Sequence, residues 1–282
     1  MVFQTIVVGV DGGAGGVDAM ALARRLGAPG SELIAVAIAA VDPQPTRKVN
    51  PDFDRDAREE AHERLVDLRA QEPDLRTEVL RSSWVGAGLH DAARRFDADL
   101  IVVGSCRRGL IGRIFAGDDT RDTLRGAPCP VAVATRDFAL GADRPIASIG
   151  LGWAEDATSD DALALARALA ADTDAQLHVL TVRAQPSGEG DGFATDARVA
   201  DEAERVASRA AALAGLEATT TTGAPAHELA RFAGEVDLLI VGSQQRGPLG
   251  RIVLGSVSEQ LTRDCPRPLL VVPRAHRHVG RA

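Results

Sequence analysis

Residues 99–117 read DLIVVGSCRRGLIGRIFAG, and residues 237–255 read DLLIVGSQQRGPLGRIVLG. Aligned at a constant offset of 138 residues, close to half of the 282-residue chain, the two stretches agree at most positions. Each opens with an uninterrupted aliphatic run, the pattern of a strand buried on both faces. Each then continues through a polar, Gly-bearing loop to a glycine where a helical pattern begins. The match extends outward. GAGLHDAAR from Gly86 echoes GAPAHELAR from Gly223, and APCPVAVAT from Ala127 answers CPRPLLVVP from Cys265. Three matched segments in one order mean that a single unit has been duplicated.

Each copy alternates short aliphatic runs with helical spacing. IVVGV, LIAVAIA, TEVL, LIVVG and VAVAT are the expected strands of the first half; ASIGLG, LHVLTV, LEATTT, LLIVG and LLVVP take the same places in the second. Between them Phe53, Ala57, Ala61, Leu65 and Leu68 fall on one helical face, as do Val199, Ala203, Val206, Ala210 and Leu213. Alternating strands and helices build a parallel sheet covered on both faces. The fold class expected is therefore α/β, with two tandem five-stranded doubly wound, Rossmann-like domains. The first is placed at 1–138 and the second at 145–274, with a linker at 139–144 and a tail at 275–282. The last strand of each copy has no following helix, and an open aliphatic edge invites pairing. Pairing these two strands with each other gives an internal pseudo-dimer. A further homodimer is left open.

Composition narrows the function. A formal charge of −8 argues against a general nucleic-acid binder. The longest apolar run, LIAVAIAAV from Leu33, is too short to cross a bilayer. No basic n-region precedes the first strand, and Cys106, Cys129 and Cys265 form no CxxC pair; both fit a reduced, cytoplasmic protein. The single lysine, Lys48, belongs to no GxxxxGK[ST] stretch, so any phosphate must be held by backbone N–H groups and arginines.

In an open α/β sheet, ligands bind beyond the carboxyl ends of the strands. Three loops of each copy should meet there: the turn after the first strand (GVDGGAGGVDAM, carrying Asp11), the end of the second strand (Ile38 or Val182), and the long loop of the duplicated stretch. That loop delivers Gly104 or Gly242 at the strand tip and Gly117 or Gly255 at a helix start, where free N–H groups favour an anion. Arg108, Arg113, Arg246 and Arg251 add positive charge.

At these residues the chain resembles the universal stress protein family in its tandem two-domain form, over nearly its whole length. The resemblance implies a five-stranded doubly wound fold and, in one branch, ATP held through G-x2-G-x9-G-[ST], with an early Asp facing the nucleoside. Carried over, the second half keeps Gly242, Gly255 and Ser256, followed by Val257, but has Gln245 at the second glycine. Its first strand, IGLGWAED, puts Gly152 where the family has its Asp. The first half keeps Asp11, Gly104 and Gly117, but has Arg107 at the second glycine and Asp118 at the Ser/Thr position. Arg107 could reach a phosphate; Asp118 would repel one. The first half is expected to hold a nucleoside better, the second a phosphate.

Each of these residues also has a purely structural reading. Asp11 suits a turn whatever the function, and Ser256 suits a helix start. His90 and His227 recur in a Gly-Ala-x-x-His pattern, but no GxSxG stretch supplies a nucleophile, so packing or capping is the expected role. Cys106, beside Arg107 and Arg108, is a candidate redox-sensitive thiol. The leading expectation is a stress-response binding and signalling module taking ATP, with or without magnesium, and acting on an unidentified protein partner. The alternative is a nucleotide-independent interaction protein with relic sites. An ATPase or phosphotransferase ranks last, because the sequence shows no base, paired metal carboxylates or phosphate lysine.

Overall fold

The computed structural model describes residues 2–40, 51–105, 117–141, 144–154, 157–183, 213, 215–243, 252 and 254–273. In the first half, β1 (Phe3–Gly9), α1 (Ala14–Leu26), β2 (Gly27–Ala40), α2 (Pro51–Gln71), β3 (Arg76–Ser82), α3 (Val85–Arg95), β4 (Leu100–Val103), α4 (Asp118–Leu124) and β5 (Val131–Val133) follow in order. A short 3-10 helix, Phe138–Gly141, leads to the second half. That half contains β6 (Ser148–Gly152), α5 (Ala157–Thr173), β7 (Gln176–Arg183), β8 (Glu217–Thr222), α6 (Pro225–Ala233), β9 (Leu238–Gly242), α7 (Ser256–Asp264) and β10 (Leu269–Val272). The second helical face read in the sequence lies outside the described residues except for Leu213, which is buried.

Among the described residues, ten strands join one sheet, ordered β3-β2-β1-β4-β5-β10-β9-β6-β7-β8. Within each half the ladders are parallel. At the centre β5 and β10 run antiparallel, with Val133 opposite Leu269, Ala132 opposite Leu270 and Val131 opposite Val271. The two terminal strands thus close each other's edges. A second bridge joins the halves where Gly126 N–H donates to Ile252 O at 2.8 Å and Ile252 N–H donates to Ala127 O at 3.1 Å.

The central strands are buried on both faces, which explains their unbroken aliphatic sequences. Alternate residues feed two cores. Val8, Val102, Ile240 and Leu270 meet on one face; Val7, Ile101, Leu239 and Val271 meet on the other. Each core runs through both halves. Ala61 and Leu65 of α2 are fully buried, as their spacing predicts. Asp99 and its duplicate Asp237 fasten the starts of β1 and β6: Asp99 accepts from Gln4 N–H at 2.7 Å, and Asp237 from Ser148 N–H at 2.9 Å.

One alignment is corrected by the register. Val8 pairs with Val102 and Gly9 with Val36, while Leu151 pairs with Ile240 and Gly152 with Leu180. Gly152 therefore stands where the first half has Gly9, and Ala154 stands where it has Asp11. A slip of two residues leaves every side chain on its own face of a pleated strand, so the apolar pattern alone does not reveal it.

Candidate functional site

Just past β1 the chain turns sharply at Gly12, whose φ of +74° is strained for any residue with a side chain. The Asp11 carboxylate secures this turn: its Oδ1 accepts from Gly13 N–H at 2.9 Å and from Gly16 N–H at 3.3 Å. The structural reading of Asp11 is thus correct as far as it goes, and the side chain remains exposed. The N-terminus of α1 then runs against the tip of β4. A Cβ at Gly104 would collide with the Gly15 backbone, so the glycine there serves the close approach of two main chains.

Across the tip lies α4, with Gly117 as its N-cap. The Thr120 hydroxyl donates to Gly104 O at 3.2 Å, tying α4 to β4. His90, buried in α3, holds α4 from the other side, with its Nε2 2.7 Å from Thr123 O. His90 is therefore a packing residue. His227 is exposed beside Glu228, whose carboxyl it and Arg231 hold below the ordinary range.

These elements enclose a cavity of about 790 Å³ at the strand tips of the first half. Asp11, Ile38, Gly104 and Gly117, four of the residues singled out in the sequence, all line it. Its apolar wall comes from Val36, Ile38, Val85, Leu89 and Val103. Arg107, with Cys106, Arg108 and Arg113, lies outside the described residues.

Arg64, Ser105 and Arg121 are among the lining residues that escape a reading of the sequence. Arg64 of α2 donates to Ile38 O at 3.2 Å and places a cation at the cavity. Ser105 is 7% exposed, and its Oγ has no hydrogen-bond partner among the described residues. The buried Nε of Arg121 is likewise unpartnered among them. Only Ser105 carried a signal in the sequence, since Ser243 repeats it. Buried donors left without acceptors are costly, and they commonly mark a place where a bound group or water completes the site.

The cavity is also acidic. Asp118 is almost fully exposed, with its Oδ1 3.9 Å from Arg121 Nη1. Partial burial raises the Asp119 carboxyl above its ordinary range, and the neighbouring Asp122, Asp118 and Asp11 push it the same way against Arg64. No group of three or more metal-ligating side chains occurs among the described residues. Burial pushes the Cys129 thiol up to about 12, with Asp99 adding to the effect, so it is inert at neutral pH.

In the second half Val182 pairs with Thr221 near the end of β7, and Gly242 pairs with Val272 at the end of β9. Gly255 caps α7, Ser256 is exposed in its first turn, and Val257 packs at the core margin. Ser258 Oγ lies 3.5 Å from Gly242 O, repeating the Thr120–Gly104 tie. Ser243 Oγ is buried without a partner among the described residues, as Ser105 Oγ is. Two differences stand out. Ala154 supplies no carboxylate, and Trp153, only 5% exposed, occupies the place of Val10. Gln245, Arg246 and Arg251 lie outside the described residues.

Comparison with known proteins agrees with this fold. The sequence model of the universal stress protein family matches twice, at residues 3–135 and 148–273. A universal stress protein of Mycobacterium tuberculosis is 28% identical over 203 residues, 67% of this chain and 69% of that one. A second from the same organism is 30% identical over 191 residues, 62% of each chain. Among solved structures, a universal stress protein from Archaeoglobus fulgidus superposes with a TM-score of 0.68 at 20% identity, covering 96% of this chain and 99% of the other. One from Pseudomonas aeruginosa gives 0.62 at 16% identity, covering 96% and 94%. At these identities the structural likeness speaks for the fold.

Proposed function

The chain belongs to the universal stress protein family, and on that premise we propose that its first half is an adenine-nucleotide-binding module with a signalling rather than a catalytic role. The observation that carries this reading is a pair of buried donors, Ser105 Oγ and Arg121 Nε, left unpartnered among the described residues at one cavity. That cavity suits such a ligand. Its volume is within the range of small-molecule pockets, its aliphatic wall can hold a planar base, and its few polar groups converge. Asp11 at the rim is placed to accept from ribose hydroxyls, and Ser105 and Arg121 to donate to ribose or phosphate oxygens. ATP, with or without magnesium, is the ligand that the family resemblance implies, and a protein partner would read the occupied state.

The second half supports a different reading, because Ala154 lacks the carboxylate and Trp153 fills the position of Val10. We take it as a nucleotide-independent half that completes the sheet and offers surface to the partner.

A thermal-shift titration with adenine nucleosides and nucleotides tests the proposal. A ligand that binds only the folded chain stabilises it by RT ln(1 + [L]/Kd), so the midpoint should climb steadily with concentration. Asp11→Ala should abolish the shift. No shift with any adenine compound at millimolar concentration would refute nucleotide binding and leave an interaction protein.

A further inference from the structure

We infer that the free edge of β8 is a docking strand for a second copy of this chain, paired antiparallel about Thr220. The inference is independent of nucleotide binding. β3 and β8 hold the same place in the two halves, and each ends the described sheet with a neighbour on one side only. Native edge strands are ordinarily guarded against pairing by charged side chains, Pro or bulges. β3 is guarded: it carries Arg76, Glu78 and Arg81, with Arg76 held 2.7 Å from Glu32 and 3.5 Å from Glu78. β8 reads EATTTT, keeps an unbroken register with β7 from His178–Glu217 to Arg183–Thr222, and has its one charge at its first residue. Residues 217–220 and 222 are exposed, so both faces of the strand are open. Its β-branched threonines suit a strand paired on both sides.

The direction of the main chain fixes the register. Gly223 N–H donates to Arg183 O at 3.0 Å, so the polar groups of Gly223 turn inward to β7. Along a strand these groups point to the two sides in alternation, so those of Ala218, Thr220 and Thr222 turn outward. Such a row of unpaired donors and acceptors is a template for another strand. The row is symmetric about Thr220. Antiparallel pairing of two copies about a two-fold axis sets Thr220 opposite itself and Ala218 opposite Thr222, each pair exchanging two hydrogen bonds. Thr219 then falls opposite Thr221, and Glu217 opposite Gly223, so no like charges meet. The chain already closes its inner edges in this way, where β5 and β10 run antiparallel. A strand pair this short falls below the roughly 1,200 Å² at which stable interfaces begin, which makes the dimer weak and concentration-dependent.

Sedimentation velocity of the full chain without nucleotide, from micromolar to near-millimolar concentration, tests this. The sedimentation coefficient should rise with concentration from the monomer value to that of a dimer. Thr220→Pro removes the outward N–H and leaves the bonds to β7 in place, so the chain should fold while the dimer Kd rises about tenfold or more. Thr220→Lys and Thr220→Glu each set like charges opposite one another in a self-pair, and each should associate less at low salt. An equal mixture of the two should associate better than either alone, a recovery particular to a residue that faces its own copy. These charged variants carry the test should Pro unfold the chain. A monomer throughout the range would overturn the proposal. So would a dimer that none of the three substitutions weakens, since it would use another surface. A Lys–Glu mixture that associates no better than its components would overturn the pairing about Thr220.

Discussion

The Thr120 hydroxyl reaches across the mouth of the first half to Gly104 O, 3.2 Å away, and holds the first turn of α4 against the tip of β4. Ser258 and Gly242 repeat the arrangement at 3.5 Å in the second half, so the tie belongs to the duplicated framework rather than to one ligand. Thr120 is 8% exposed, and replacing it with the near-isosteric Val leaves the Gly104 carbonyl without this donor. Thr120→Val should cost about 1–2 kcal/mol in urea unfolding. It should also weaken adenosine binding, because α4 carries one wall of the cavity.

Gly104 makes a sharper test. A methyl group there would overlap the Gly15 carbonyl and Cα, and relief requires the N-terminus of α1 to move off the strand tip. Gly104→Ala should destabilise the chain by about 1–3 kcal/mol, the usual cost of overpacking. Binding should fall as well, since Gly15 and Gly16 line the same cavity. Unchanged stability would mean that α1 is not held against β4 as described.

Asp119 gives a pH dependence with a definite sign. Its carboxyl titrates above its ordinary value in the folded chain, first through partial burial and then through Asp122, Asp118 and Asp11. A raised acid favours the folded state fully while protonated in both states, and that contribution is lost as pH rises through the folded pKa. Ionised Asp119 is thus a burden at pH 7. The midpoint of Asp119→Asn relative to the parent should be more favourable at pH 7 than near the unfolded carboxyl value. A pH-independent difference would contradict the raised carboxyl.

Asp18 tests the join between the halves. Buried in α1, it accepts from Asp137 N–H at 2.9 Å and Ala139 N–H at 2.8 Å, pinning the start of the 3-10 helix. Arg25 reinforces this contact by lying over the Phe138 ring, 4.8 Å from its centroid. Asp18→Ala should cost about 1–3 kcal/mol for the stranded donors. Limited proteolysis should then open the chain near residues 137–141 before the strands.

Much of this was legible in the sequence for a physical reason. Strands buried on both faces must be continuously aliphatic, and a duplicated chain prints that signal twice. The central β5–β10 pairing followed from the need to close two bare edges. Asp11, Ile38, Gly104 and Gly117 could be placed at one site because the topology of a doubly wound sheet dictates where its strand tips meet. Arg64 and Arg121 could not, and Ser105 was marked only by its repeat at Ser243. Their significance depends on which partners they lack or find across long stretches of chain, which no local pattern encodes. The counterpart of Asp11 was misplaced at Gly152 because a two-residue slip preserves the pleat; only the partners of Val8 and Leu151 fix Ala154 there.

Ser105 and Ser243 separate framework from function. Both hydroxyls are buried without partners among the described residues, and removing such an orphaned group relieves a desolvation cost of roughly 1–3 kcal/mol. Ser105→Ala and Ser243→Ala should therefore each leave the free chain as stable as the parent or more so, measured by urea unfolding. Their effects on ligand should diverge. Ser105 lines the cavity that holds Asp11, so its loss should raise the adenosine Kd by about fivefold or more, as expected for one buried hydrogen bond. Ser243 sits beside a strand tip where Ala154 and Trp153 have replaced the carboxylate and the small side chain, so its loss should leave adenosine binding unchanged. Equal losses from both substitutions would show that the two halves bind alike, and the division of labour proposed for them would be wrong.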